Sequence, residues 1–291
     1  MAVRPSMIAT CWTSAGDVAP LQRPDERSPV GIVERMDAVV ATGWSGMGIS
    51  QDDLREVKAT MGFSELRKRL DDAGLLCEVE FLNDWWGTGP RRAASDDVRR
   101  LLLEAAAVLG ATHIKIGTEF GGTLTSLDPF AQPLLELCDA AVEHGTRIAI
   151  EPMPFSMISS IPLGTELVRL VDHPACGLMV DSWHVFRAGT GLDELAACLT
   201  ADLIFGVELD DAAAEPEGTL FEDTVNNRLV CGEGVFDLVG LVSTLVEIGY
   251  DGPWGCEIIS REQRQLPVRE GLDRALRTAT AVVTEGIRAA G

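Results

Sequence analysis

Four carboxylates close four apolar runs in this sequence of 291 residues. Glu151 follows RIAI, Asp181 follows GLMV, Glu208 follows LIFGV and Glu257 follows WGC. An acid at the end of a buried run is unfavourable unless a cation answers it. The first three recur at intervals of 30 and 27 residues, as they would if each closed one repeat of a strand-and-helix pattern. Brought together, four such carboxylates repel one another strongly without a positive partner. One bound divalent ion answers that repulsion, held by Glu151, Asp181, Glu208 and Glu257. A donor set of oxygens alone suits Mn²⁺ or Mg²⁺ better than Zn²⁺. The alternative for any single acid is a nearby Arg or Lys.

The elements that position these residues follow from the apolar pattern. Eight short runs stand at 7–12, 45–50, 75–81, 112–117, 147–152, 177–182, 203–209 and 254–259. They are nearly continuously apolar, as strands buried on both faces are. Amphipathic helical stretches lie between them, including 96–111, 128–145 and 236–249, each opening near an Asp and closing at a small residue or Gly. Most spacings match one strand-helix unit, and eight units predict a single (β/α)8 TIM barrel over residues 1–291. A doubly wound open sheet is the rival, but no GxGxxG follows the first run. Residues 210–231 read as a long polar loop after strand seven, on the face where barrel active sites lie.

Other side chains acquire roles from that placement. His184, three residues past Asp181, orients a ligand or hydrogen-bonds a substrate. Lys115 and Glu119 flank the end of strand four and are in reach of a substrate; Lys115 alternatively stacks inside the barrel against an acid. Trp12, Trp85, Trp86 and Trp183 lie at or past strand ends, where they wall a sugar ring or fill core. His113 opens strand four and belongs at the barrel bottom. His144 and His173 fall at helix ends and carry no chemistry.

Composition bounds the partners. Forty-five acids against 24 Lys and Arg give a net charge of −21, which repels nucleic acid and anionic membranes. Seven cysteines form no CxxC pair and read as reduced core thiols. Neither a signal peptide nor an apolar run of membrane-spanning length is visible, so the expected location is the cytoplasm. A homo-oligomer is compatible with the sequence, which does not fix the assembly.

The segments IAIEP, GLMVDSWH, VELDDA, NRLVCGEGVFDL and GYDGPWGCEI, within 146–260, resemble the sugar phosphate isomerase/epimerase superfamily of xylose isomerase-like barrels. The resemblance implies that Glu151, Asp181 and Glu257 are metal-binding acids and that the two glutamates form an acid/base pair. It matches His184 to the histidine after the aspartate and Arg228 to a substrate-contacting arginine. Strand seven in that superfamily usually supplies His or Gln, where this chain has Glu208. That extra acid is expected to be protonated, or neutralised by Arg228 or Arg187. The endonuclease branch needs a histidine cluster that four histidines cannot supply. The implied activity is a divalent-metal-dependent isomerase or epimerase of a keto-sugar or polyol, working through an enediolate. The alternatives are a lyase or dehydratase acting by β-elimination on a keto-cyclitol or keto-glycoside, and a non-catalytic metal-binding subunit. The expected partner is a small sugar, without phosphate because no basic cluster accompanies the loops.

Overall fold

In the computed structural model, which describes residues 4–122 and 124–291, eight parallel strands close into a barrel in sequence order. They are β1 Met7–Ala9, β2 Gly46–Ser50, β3 Leu76–Leu82, β4 Ile114–Ile116, β5 Ile148–Ile150, β6 Cys176–Asp181, β7 Ile204–Leu209 and β8 Trp254–Cys256. Strand β1 pairs with both β2 and β8, which seals the cylinder. Each predicted run overlaps one strand, in sequence order.

Two expectations about extent need correction. The first run breaks after Ala9, and Cys11–Ser14 form a single helical turn. Thr10 and Thr13 turn the chain there, because both hydroxyls donate to the Cys256 carbonyl, at 3.0 and 2.7 Å. Residues 210–231 are not a plain polar loop. They contain the helix Leu220–Asn226, opened by a reciprocal Thr219–Glu222 capping box. Val225, Arg228, Val230 and Cys231 from this segment are buried.

Side chains alternate across each strand with period two. Ile148, Ile150, Leu178, Val180, Val207 and Leu209 join the large core between strands and helices. Ala149, Met179 and Phe205 form a separate cluster. The same alternation puts Glu151 in the row of Ala149 and Asp181 in the row of Met179, inside the barrel; Glu208 joins them as the register partner of Asp181, because the β6–β7 register shifts after Leu178. Gly255 lies opposite Glu208 in the β7–β8 register. A Cβ there would fall 2.6 Å from the Val207 carbonyl oxygen and 3.1 Å from Glu208 Cγ, so only glycine leaves Glu208 its room. Six of the seven cysteines are buried and all are free thiols. Among the described residues no helix is long and apolar enough to cross a membrane.

His113 precedes β4 and is almost wholly buried, in the same inward row as Lys115 two residues on. Burial first, then the positive charges of Lys115 and Arg147, hold its pKa near 3, against an ordinary 6.5. The fold therefore prefers the neutral ring. That contribution is complete above pH 6.5 and is lost as pH falls toward 3. At about 1.4 kcal/mol per pH unit, about 2–3 kcal/mol disappears between pH 6.5 and pH 4.5. Urea unfolding should show the stability gap between wild type and His113→Gln shifting by that amount, in favour of the variant. A gap independent of pH would mean that the folded protein accepts the proton.

Candidate active site

The strand ends at one mouth of the barrel bring Glu151, Asp181, Glu208 and Glu257 together, with one oxygen of each within 4.8 Å of the others. Asp181 and Glu208 face each other in the β6–β7 register. Glu151 and Glu257 lie one residue past their strands, yet the ladder still holds them. The Glu151 N–H donates to Ile116 O at 2.9 Å, and the Glu257 N–H to Leu209 O at 3.0 Å. All four side chains are buried.

Two further acids belong to the cluster. Glu80 on β3 and Asp210 just after β7 are also buried. The signal for Glu80 was the alternation in LLCEVEF, where Glu78 and Glu80 interrupt an apolar run at the period of one strand face. Asp210 had no comparable signal, since an acid after a strand reads as a loop residue.

Two permanent cations face these six acids. Lys115 is the register partner of Glu80, 2.6 Å from its Oε2. Its ammonium also donates to both oxygens of Glu208, at 2.9 and 3.0 Å, and to Glu257 Oε1 at 3.0 Å. Glu151 Oε1 is 3.7 Å away. Of the two readings of Lys115, packing against acids inside the barrel is the one observed. Arg228 Nη1 donates to Asp181 Oδ2 at 2.7 Å and to Asp210 Oδ2, and lies 3.2 Å from Glu257 Oε2. Its remaining donors engage Thr224, on the helix Leu220–Asn226. The expectation that Arg228 or Arg187 neutralises Glu208 is therefore corrected. Lys115 performs that task, because it stands inside the barrel in the same row. Arg187 instead pairs with Asp223, 3.1 Å away. Arg228, expected to contact substrate, lines the cavity with its guanidinium already engaged by acids.

These contacts divide the carboxylates into held and free. Asp181 accepts the backbone N–H of His184 at Oδ1, capping the helix Ser182–Arg187, and Arg228 at Oδ2. Its pKa is pushed down by Arg228 and His184, against the opposing effect of burial. Glu151 is different. Its Oε1 is buried without a hydrogen-bond partner. Burial, opposed by Lys115 and reinforced by neighbouring acids, lifts its pKa to about 8. Burial also raises Glu208 and Glu257. His184 Nε2 lies 3.8 Å from Glu151 Oε1, and burial holds the ring neutral with a pKa near 3.

The mouth opens into a cavity of about 330 Å³. Glu80, Glu151, Glu257, Lys115, His184 and Arg228 line its polar side. Trp12, Phe81, Phe155 and Phe221 contribute an apolar wall. Of the four tryptophans, Trp12 alone lines this cavity. Trp183 is fully buried, with Nε1 donating to Asp223 Oδ2 at 3.2 Å, and Trp85 donates to the Gly117 carbonyl at 2.7 Å. Trp86 packs against Trp85 and Phe130. Glu119, expected to reach substrate, is half-exposed and pairs with Arg91 at 2.7 Å. It sits three residues past β4, and its carboxylate is directed to Arg91 rather than to the cavity.

The donor set suits a divalent cation. Fully ionised, six buried carboxylates would exceed two fixed cations by four charges; without a further cation, burial and mutual repulsion raise the pKa values of Glu151, Glu208, Asp210 and Glu257, so the cluster holds protons that a divalent ion would displace. A divalent ion would halve that excess, and its hard-oxygen preference matches the side chains present.

Residues 36–279 match the family described as xylose isomerase-like TIM barrel. The chain is 29% identical over 154 residues to the inosose isomerase of Bacillus subtilis, covering 52% of this chain and 54% of that protein. It is 26% identical over 255 residues to the 3-dehydroshikimate dehydratase of Pseudomonas aeruginosa, covering 84% of this chain and 39% of that protein. The chain thus spans about half the length, or less, of these curated relatives. Among solved structures, the IOLI protein with a bound zinc atom superposes with a TM-score of 0.83 at 20% identity, covering 96% of this chain and 98% of that one. The protein AsbF of Bacillus anthracis, described as a probable 3-DHS dehydratase, gives 0.70 at 12% identity, covering 92% of this chain and 97% of that one.

Removing Arg228 should expose the electrostatic load it carries. Arg228→Met leaves Asp181, Asp210 and one side of Glu257 facing one another without it. Loss of one partner from a buried ion cluster costs about 3–5 kcal/mol. Denaturant unfolding in chelator should show a loss of that size, partly recovered by saturating Mn²⁺. A loss below about 1 kcal/mol would mean that the acids are already neutral.

Proposed function

Since the chain belongs to the xylose isomerase-like TIM barrel family, we propose that it is a divalent-metal-dependent isomerase or dehydratase of an uncharged keto-cyclitol or keto-sugar. The reading rests on one observation above the others: Glu151 lines the cavity and has a buried oxygen, Oε1, that no hydrogen bond holds. Inosose isomerase and 3-dehydroshikimate dehydratase, the relatives named above, share a requirement for removing a proton next to a carbonyl. Glu151, Asp181 and Glu257 would hold the metal. When bound, a divalent ion supplies Lewis-acid polarisation of the substrate carbonyl and stabilises negative charge on its oxygen.

The chain's own residues then divide the proton transfers. Glu151, which lines the cavity and has one oxygen that no hydrogen bond holds, is suited to take the proton from the carbon beside the carbonyl. The C–H electron pair moves into the carbon framework and the carbonyl oxygen becomes an enolate. Glu257, held by Lys115 on one oxygen and beside Arg228 on the other, faces the same cavity. Protonation of carbon by Glu257 gives isomerisation or epimerisation. Protonation of a β-hydroxyl by Glu257, with loss of water, gives dehydration. His184, neutral and next to Glu151, is placed to orient a substrate hydroxyl.

Charge in the cavity favours a neutral substrate. Among its basic lining residues, Lys115 and Arg228 are already engaged by acids, and Arg23 is exposed at the rim. Glu26, Asp52, Glu80, Glu151 and Glu257 line it as well. A carboxylate or phosphate would meet repulsion. An inosose therefore fits better than dehydroshikimate, and the reading would fail if only carboxylate-bearing ketones turned over.

Glu151→Gln should lower exchange of the substrate α-hydrogen with deuterated solvent by about 10²–10⁴-fold, measured by NMR with an inosose. Exchange within tenfold of wild type would remove Glu151 as the base. Exchange should also stop in EDTA and return with Mn²⁺, Mg²⁺, Co²⁺ or Zn²⁺; persistence in EDTA would overturn the metal requirement.

A further inference from the structure

The four acids at the strand ends are not equivalent toward a cation. Glu208 has both carboxylate oxygens on one ammonium, that of Lys115. Glu257 hydrogen-bonds Lys115 through Oε1 only, and its Oε2 lies 3.2 Å from Arg228. Asp181 places one oxygen on a backbone N–H and the other on Arg228. Glu151 Oε1 has no hydrogen-bond partner. Lys115 lines the cavity, whereas Glu208 does not. The ammonium therefore stands between Glu208 and the space that a substrate would enter.

We infer that Lys115 removes Glu208 from the metal's ligand set and serves as a built-in counter-ion for it. This rests on the metal-dependent reading above. The divalent ion is then held by Glu151, Asp181 and Glu257, with its other positions left for substrate oxygens. The physical reason is competition between cations. A divalent ion at about 2.1 Å from either Glu208 oxygen would sit within about 4 to 5 Å of the Lys115 nitrogen, where like charges repel strongly; the same repulsion closes Glu257 Oε1 but leaves its Oε2, which Arg228 approaches without a hydrogen bond. Lys115 cannot readily withdraw. Its other contacts, Glu80 Oε2 at 2.6 Å and Glu257 Oε1 at 3.0 Å, hold it in place, and the side chain is buried. Gly255 leaves space for the Glu208 stem opposite it, so the pair sits without crowding. Lys115 is in this sense a positioning residue. Its three protons are taken by acids, and it offers none to a substrate.

Metal affinity separates this arrangement from a four-carboxylate site. The probe is Mn²⁺ alone, titrated into the full chain by calorimetry and by the electron paramagnetic resonance of free Mn²⁺. Glu208→Gln should leave the dissociation constant within about threefold of wild type. Lys115→Met should tighten Mn²⁺ binding by tenfold or more, because the competing charge is gone and Glu208 is released. The double variant Lys115→Met/Glu208→Gln should lose most of that gain. Glu208→Gln keeps Lys115 and its other partners, so it serves as the test should Lys115→Met fail to fold. Wild-type binding that weakens more than tenfold in Glu208→Gln makes Glu208 a ligand and overturns the inference, leaving the metal requirement intact. Unchanged or weaker binding by a folded Lys115→Met overturns it as well. No Mn²⁺ binding by either wild type or Lys115→Met would overturn the metal reading and the inference together.

Discussion

Charge excess in a water-poor barrel mouth is the constraint on which the rest of this structure depends. Glu80, Glu151, Asp181, Glu208, Asp210 and Glu257 all end buried within one small volume. Acids so placed are stable only if cations and hydrogen-bond donors reach them. Lys115 reaches from β4 and Arg228 from the segment returning after the helix Leu220–Asn226. Each bridges several acids, so the two cations act as cross-links among strands β3, β6, β7 and β8. The excess that remains is what makes the site receptive to a further cation.

Arg228 shows how far this constraint extends. Its guanidinium is fixed by Thr224, and Thr224 belongs to a helix started by the Thr219–Glu222 box. Arg187 packs nearby, joined to Asp223 and to the carbonyls of Ala213 and Ala214. Asp210 is tied to Ser182 through both its side chain and its backbone N–H. The segment after β7 is thus a support for one buried cation, and Phe221 on the same helix adds to the cavity's apolar wall. Asp181 has a double duty, since it caps the helix that carries His184 while it answers Arg228. Glu151 has neither duty, and that leaves its oxygen available to chemistry.

Much of the architecture could be read from the chain. Eight apolar runs with intervening amphipathic stretches specify eight strands and their order, because the period of buried residues is local information. The acids Glu151, Asp181, Glu208 and Glu257 were legible for the same reason, being polar residues in runs that are otherwise apolar. Glu80 carried the same signal in LLCEVEF. Errors arose where a polar residue had no such frame. Glu119 lay near a strand end but turned outward to Arg91. For Trp183 and Trp85 the sequence left a cavity wall and core packing both open; they fill core, where each indole N–H has a buried acceptor.

Pairing was beyond the reach of the sequence. The chain itself determined that several acids must share one end of a barrel, and that a cation was needed there. Only the tertiary structure decided which cation answers which acid. Lys115 and Glu208 are 93 residues apart, and Arg228 and Asp181 are 47 apart. Their contacts depend on strand register and on the path of the chain after β7. Side-chain alternation places a residue on a face, but barrel closure alone determines which residues meet across it. For that reason the sequence suggested Arg228 for Glu208, while closure of the barrel brought Lys115 there instead.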